Sequence, residues 1–323
     1  MTATLRIEGL DKRFGGGRSL FGFGREKPAV HAVQDASLEV SRGQTLGIVG
    51  ESGCGKSTLA RMIVGLLPPS AGVIEIEGTN YADQAGKDPA AFGRVIQYVF
   101  QDPISSLNPR KTIRKILEAP LKLLHGMPAD RRATRIDEIL DAVNLRREFL
   151  DRYPHEFSGG QAQRIGIARA LAAAPRILVL DEPVSALDVS VQAQVLNLLA
   201  RLKDEFDLTY LFISHDLAVV EAVADRVAVM YFGRIVELAA AQDIFARPRH
   251  HYTALLARSA PTVGRPLGAP EGADAELPDP LNPPPGCAFA RRCPAATEIC
   301  RNLQPPLEDD GGGHFAACHN PAR

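Results

Sequence analysis

The chain has 323 residues, 45% of them hydrophobic and 23% charged, and this composition supports a full core while excluding disordered, collagenous or disulfide-knot chains. Lys plus Arg total 37 against 38 for Asp plus Glu, so the net charge of −1 supplies no sequence-wide basic field for nucleic acid. No run reaches the roughly 20 apolar residues of a bilayer crossing, and the opening MTATLRIEGL lacks the basic-then-apolar order of a signal peptide, so a cytosolic chain is expected.

In chain order, residues 15–27 (GGGRSLFGFGREK) read as a flexible excursion between two N-terminal strands. Short β-branched or apolar runs follow at Thr45–Val49, Val73–Ile76, Val95–Phe100, Ile177–Leu180, Tyr210–Ile213 and Val227–Met230. They alternate with helix-period segments at Ser57–Leu67, Val191–Phe206 and Leu217–Ala224, a pattern that predicts an α/β fold with a largely parallel sheet. Between Pro109 and Leu150 strand signals stop, and Thr112–Leu124 and Asp130–Val143 read as amphipathic helices, so a helical subdomain spanning about 105–165 is expected as an insertion in the core. Twelve of the 24 prolines fall after residue 260. That shift divides the chain into a core over 1–259, a Pro-rich linker over 260–286 and a four-cysteine extension over 287–323.

The strongest local motif runs Gly50-Glu51-Ser52-Gly53-Cys54-Gly55-Lys56-Ser57-Thr58, after an apolar strand and before a helical segment. This is the phosphate-loop pattern in the context it requires. Backbone N–H groups of Gly50, Ser52, Gly53, Cys54 and Gly55 converge on a phosphate, Lys56 reaches the β/γ oxygens, Ser57 ligates Mg²⁺, and Thr58 closes the motif. Cys54 reads as a tolerated small residue and not as a redox switch. Farther on, the buried strand Ile177–Leu180 runs into Asp181-Glu182, which delivers two acids to the carboxyl edge of the sheet. Asp181 suits Mg²⁺ through water, and Glu182 suits a general base. Ser158-Gly159-Gly160-Gln161, before the helical run Ala162–Ala174, forms a second anion-binding helix start.

With two phosphate-binding helix ends, the sequence resembles the ATP-binding subunits of ABC transporters, whose signature is nearly Ser158–Gln161, with Phe157 where Leu is commoner. Gln101, Ser185-Ala186-Leu187-Asp188 and His215 appear in the family order. The resemblance implies a P-loop (RecA-like) core that uses ATP and Mg²⁺, with Gln101 sensing Mg²⁺ and the attacking water, His215 at the γ-phosphate, Asp188 at the nucleotide site and Phe14 stacked on adenine. It also implies head-to-tail pairing, in which Ser158–Gln161 of one domain closes over nucleotide held by Lys56 of another. Chromosome-maintenance ATPases are excluded because only 56 residues separate Gln101 from Ser158, leaving no room for their coiled coil; tandem translation-associated members are excluded because one phosphate loop is present.

The tail, Gly286-Cys287 through Cys293-Pro294, Cys300, Pro305-Pro306-Leu307 and Cys318-His319, looks like the extension of the oligopeptide/dipeptide permease ATPases, as does Tyr153-Pro154-His155-Glu156-Phe157. The resemblance implies an ATPase on the cytoplasmic face of a bacterial inner membrane, peripheral to two separate permease subunits. It implies a second ATPase (a paralogue or a copy of itself), an extracytoplasmic peptide-binding protein and no nucleic-acid partner. Short peptides are the expected cargo, with nickel, sugars or other peptides as alternatives; a soluble ATPase acting on nucleic acid or the ribosome is the remaining one. Cys287, Cys293, Cys300 and Cys318 are separated by five, six and seventeen residues, none a C-x₂₋₄-C pair of structural zinc. A [4Fe–4S] cluster, whose four iron corners accept thiolates from wider loops, is expected there. Zn²⁺ is the alternative, with His314 or His319 replacing a thiolate.

Overall fold

The computed structural model describes residues 3–16, 29–80, 88–259 and 278–322. Most of the expected excursion at 15–27 and of the expected linker at 260–286 lies outside the described residues. The chain packs as two compact units, one of residues 1–4, 40–45 and 76–213, the other of 5–39, 46–75 and 214–323.

In the first unit, strands Ile96–Val99, Ile177–Asp181 and Thr209–Ile213 pair in parallel, with Ile177 opposite both Ile96 and Thr209. Every residue of Ile177–Asp181 and of Thr209–Ile213 is buried, which is why these runs are apolar without alternation. Helices Ile113–His125, Ala129–Ala142 and Gly159–Leu171 lie between the first two strands, where the sequence predicts an all-helical stretch. Ile113, Ile116, Leu117 and Leu121 form the buried stripe of the first of these, and Gly126 ends it in the left-handed conformation. Phe157, the departure from the family signature, is buried with its ring edge-on to Phe149 at 5.4 Å between centroids.

In the second unit, residues 46–49 of strand Thr45–Val49 pair in parallel with Arg226–Tyr231, which pairs antiparallel with Arg234–Ala240. The last strand is absent from the sequence reading. Its centre, Glu237, interrupts an apolar run, yet the side chain is fully buried. The tail then adds to this sheet: Phe315–Ala316 pairs antiparallel with Arg234–Ala240, Glu237 opposite Ala316, and with Glu308–Asp309. The described tail, 278–322, therefore belongs to the same compact unit as the phosphate loop. Helix Lys56–Ile63 is shorter than the predicted Ser57–Leu67, because Gly65 takes φ 71° and the amides of Leu66 and Leu67 turn back to the Arg61 carbonyl. No helix among the described residues is long and apolar enough to cross a membrane.

Candidate functional site

The second unit carries the phosphate loop. Thr45–Val49 delivers Gly50, and helix Lys56–Ile63 starts at Lys56, so the loop ends on a helix N-terminus. Gly55 has φ 107°, and a Cβ there would lie 2.2 Å from the Ala32 carbonyl oxygen, so only glycine fits. Lys56 is buried, its Nζ donating to the carbonyls of Gly50 (2.6 Å) and Glu51 (3.0 Å), with the Cys54 sulfur at 3.8 Å. The ammonium is thus fixed inside the loop it must serve. Burial pushes the Cys54 thiol up, against the opposing pull of Lys56, in keeping with a packing residue. Cys54 O accepts from Gly233 N–H at 2.9 Å. Ser57 and Thr58 follow in the helix's first turn. Ser214 donates its N–H to Ile48 O at 3.2 Å, which sets the exposed His215 directly after a residue bonded to the loop's own strand. Phe14 is 42% exposed, an available aromatic face with Lys12 Nζ 5.2 Å from its centroid.

The first unit carries the acids. Asp181 is buried at the strand end and accepts the Tyr98 hydroxyl, a partner with no signal in the sequence reading. Glu182 takes φ 48°, a strained conformation for a glutamate, held by its N–H donating to Ile213 O at 2.9 Å. Its Oε2 accepts from Gln101 Nε2 at 2.9 Å. The structure therefore brings together Gln101 and Glu182, 81 positions apart. Ser158 and Gln161 form a reciprocal capping box: Ser158 Oγ accepts from Gln161 N–H (3.4 Å), and Gln161 Oε1 from Ser158 N–H (3.1 Å). Ser158 and Gly159 are exposed, and a Cβ on Gly160 would lie 2.5 Å from Val191 Cγ1. Asp188 caps Val189–Phe206, accepting from Val191 N–H (3.0 Å) and Ser190 Oγ (2.8 Å); the Ser190 hydroxyl first and the Val191 amide second hold its carboxyl below the usual range.

In the tail, all four cysteines line one small cavity, together with His250, His319 and Asn320. Among the described residues, no three His, Cys, Asp or Glu side chains are grouped to hold a metal ion. Burial raises the Cys287 thiol to about 11, opposed by a backbone hydrogen bond at Phe289 and reinforced by the other three cysteines; burial is also the first cause of the upward shifts at Cys293 and Cys318. Asn320 Nδ2 donates to Cys300 Sγ at 3.5 Å, and Thr297 Oγ1 lies 3.4 Å from it. Gly286 makes the approach possible, since a Cβ there would fall 2.4 Å from the Cys300 carbonyl oxygen. His314 lies elsewhere, with Nε2 2.6 Å from Glu237 Oε1, whereas His319 lines the cavity, its Nε2 donating to Leu303 O at 3.0 Å. The sequence reading also missed His250, whose Nδ1 accepts from Tyr252 N–H at 3.1 Å, so that Nε2 carries the proton toward Cys287 Sγ, 4.0 Å away. A larger groove of about 770 Å³, between Arg6, Glu39 and Pro305–Leu307, contains none of the nucleotide-site motif residues.

Comparisons with known proteins agree with these motifs. The family model for ABC transporters matches residues 33–185, and that for the oligopeptide/dipeptide transporter C-terminal region matches 236–300. The dipeptide transport ATP-binding protein DppF of Haemophilus influenzae is 47% identical over 319 residues, covering 98% of this chain and 96% of the relative. The oligopeptide transport ATP-binding protein AppF of Bacillus subtilis is 47% identical over 302 residues, covering 92% of each. Among solved structures, the ATP-binding cassette MJ0796, a dimer bound to ADP and Pi in a post-hydrolysis state, aligns with a TM-score of 0.64 at 28% identity, covering 73% of this chain and 98% of that one. A phosphate loop, a strand-end acid pair and a capped signature helix, on a chain this close to such relatives, make it a member of the ABC transporter ATPases, in the oligopeptide/dipeptide transport ATP-binding family.

Proposed function

We propose that this chain hydrolyses ATP to energise import of short peptides through separate membrane permease subunits, from the cytoplasmic face of a bacterial inner membrane. Lys56 and the loop amides bind the phosphates, Ser57, Gln101 and Asp181 would hold Mg²⁺ and so neutralise phosphate charge, Glu182 polarises the attacking water, and His215 stabilises charge at the γ-phosphate. Phe14 stacks on adenine. The observation that carries hydrolysis is Glu182, held in a strained conformation with Gln101 bonded to its carboxylate. The peptide cargo rests on the match of residues 236–300 to the oligopeptide/dipeptide transporter C-terminal region and on the names of the relatives. The exposed helix start of Ser158–Gln161 acts on the nucleotide of a second ATPase, a paralogue or a copy, and Asp188 belongs to the nucleotide site. Glu182→Gln should leave ATP binding near normal and slow steady-state hydrolysis of the assembled complex by about 10² or more. Unchanged turnover removes Glu182 from its role.

We propose further that Cys287, Cys293, Cys300 and Cys318 would hold one [4Fe–4S] cluster, a reading supported by the shared cavity and by the N–H and O–H groups set against Cys300 and Cys287. Bound, the group would supply a structural staple to a segment with few large apolar side chains. Anaerobic purification followed by iron, sulfide and zinc analysis decides it: about four iron and four sulfide per chain support the cluster, while stoichiometric zinc or metal-free folded protein refutes it.

A further inference from the structure

The second residue of the phosphate loop is an acid, Glu51, at a place built to receive a polyanion. A bare carboxylate there opposes the phosphates and weakens their binding. The structure gives it a partner from the tail. Arg292 Nη1 and Nη2 donate to Glu51 Oε2 and Oε1, each at 2.9 Å, the bidentate fork that only arginine supplies. The Arg292 side chain is 6% exposed and that of Glu51 29%, so the pair is largely shielded from water and salt.

Both ends of this contact are anchored. The guanidinium carbon lies 5.6 Å from the Phe289 ring centroid and 6.0 Å from that of Tyr231, and Arg292 Nη1 is 3.5 Å from the Tyr231 hydroxyl. Tyr231, Tyr252 and Phe289 pack on one another with centroids 4.5 to 5.5 Å apart. Tyr252 Oη accepts the Glu51 N–H at 2.8 Å, so the same aromatic cluster holds the loop's backbone while Arg292 holds its side chain. The Glu51 carbonyl accepts from Lys56 Nζ at 3.0 Å, which makes the position of this one residue matter to the lysine that meets phosphate. In the other direction, Phe289 lines the four-cysteine cavity and Arg292 immediately precedes Cys293. Loop, aromatic cluster and cysteine cavity are therefore contiguous within one compact unit.

We propose that Arg292 is a positioning residue of the nucleotide site: it neutralises Glu51 and fixes the phosphate loop, so that the cysteine-containing extension sets the ATP affinity of the core. The inference rests on the ATPase reading above. Its core is electrostatic, and this separates it from a merely structural role. Without Arg292 the carboxylate stands unpaired beside the phosphates; with both charges removed the opposition disappears.

The test uses the full-length chain and the assembled complex. Kd for a fluorescent ATP analogue and the ATPase KM and kcat are measured for wild type, Arg292→Gln, Arg292→Lys and the double variant Glu51→Gln/Arg292→Gln. Arg292→Gln should raise Kd and KM by about tenfold, with KM rising more than kcat falls. Arg292→Lys, which keeps the charge but loses the fork, should fall between. The double variant should recover to within about threefold of wild type. An Arg292→Gln variant that binds within about twofold of wild type, or a double variant as weak as the single one, overturns the proposal even if the tail is loosened in both. A wild-type chain that binds no nucleotide would instead overturn the ATPase reading itself.

Discussion

Glu237 allows a stability effect to be worked out from bond counts. Its side chain is fully buried; Oε1 accepts from Arg249 N–H at 2.7 Å and from His314 Nε2 at 2.6 Å, and Oε2 accepts from His250 N–H at 2.8 Å. Two of these donors are backbone amides just before helix His251–Ser259, and the third comes from the tail. Glu237→Gln keeps the shape and replaces one oxygen by an NH₂ group. In the better of the two amide orientations that group faces His250 N–H, donor against donor, which leaves one buried amide unsatisfied at about 1–3 kcal/mol. The other two bonds pass from charge-assisted to neutral, costing roughly 0.5–1 kcal/mol each. The sum is about 2–5 kcal/mol, which at about 2 °C per kcal/mol for a chain of this size lowers Tm by about 4–10 °C. Glu237→Ala, with all three donors orphaned, should cost more. Thermal unfolding of the full chain measures the shift, and hydrogen exchange at the Arg249 and His250 amides locates it. A Glu237→Gln protein that melts within about 1 °C of wild type, with unchanged protection at both amides, refutes the bond count.

Tyr98→Phe removes the hydroxyl donated to Asp181 and loosens a carboxylate placed to meet Mg²⁺, so the Mg²⁺ concentration for half-maximal ATPase should rise several-fold, about 0.5–1.5 kcal/mol of lost orientation; a Mg²⁺ titration superimposable on wild type counts against this. Asp188 has its carboxyl held below the usual range, so its cap on Val189–Phe206 is fully present above the unfolded carboxylate value and is lost as pH falls through the folded one. Protection of the Val191 amide should therefore drop on acidification, and Asp188→Asn, which cannot titrate, should flatten that dependence.

Local rules made some parts of this protein legible and hid others. The strand Thr45–Val49 has the predicted bounds, and Ile177–Asp181 runs one residue past its prediction into the acid. Both are buried at every position, so their signal is a short uninterrupted apolar run between turns. The phosphate loop was equally legible because the chemistry constrains consecutive residues: Gly55 must be glycine for its φ and its approach to Ala32, and Lys56 must follow it. Contacts between distant residues left no such trace. Tyr98 with Asp181, His250 with Cys287 and Arg292 with Glu51 are 83, 37 and 241 positions apart, and nothing local distinguishes these side chains from ordinary surface or core residues.

Two acids within residues 1–259 conflict locally with the elements that carry them. Glu51 sits in an anion-binding loop, and Glu237 sits in the middle of an apolar strand; taken locally, each argues against its own element. In the structure both conflicts are met from the same segment, Arg292 bonding Glu51 and His314 bonding Glu237. Leaving either acid without its donors is costly, and so is leaving the buried Arg292 or His314 without its acid. The dependence therefore runs both ways between core and tail. Residues 1–259 complete the motif set of the ATPase, but the electrostatics of the loop and the buried end of its sheet are balanced only with residues 278–322 in place, which explains why the tail's strand Phe315–Ala316 is added beside Glu237.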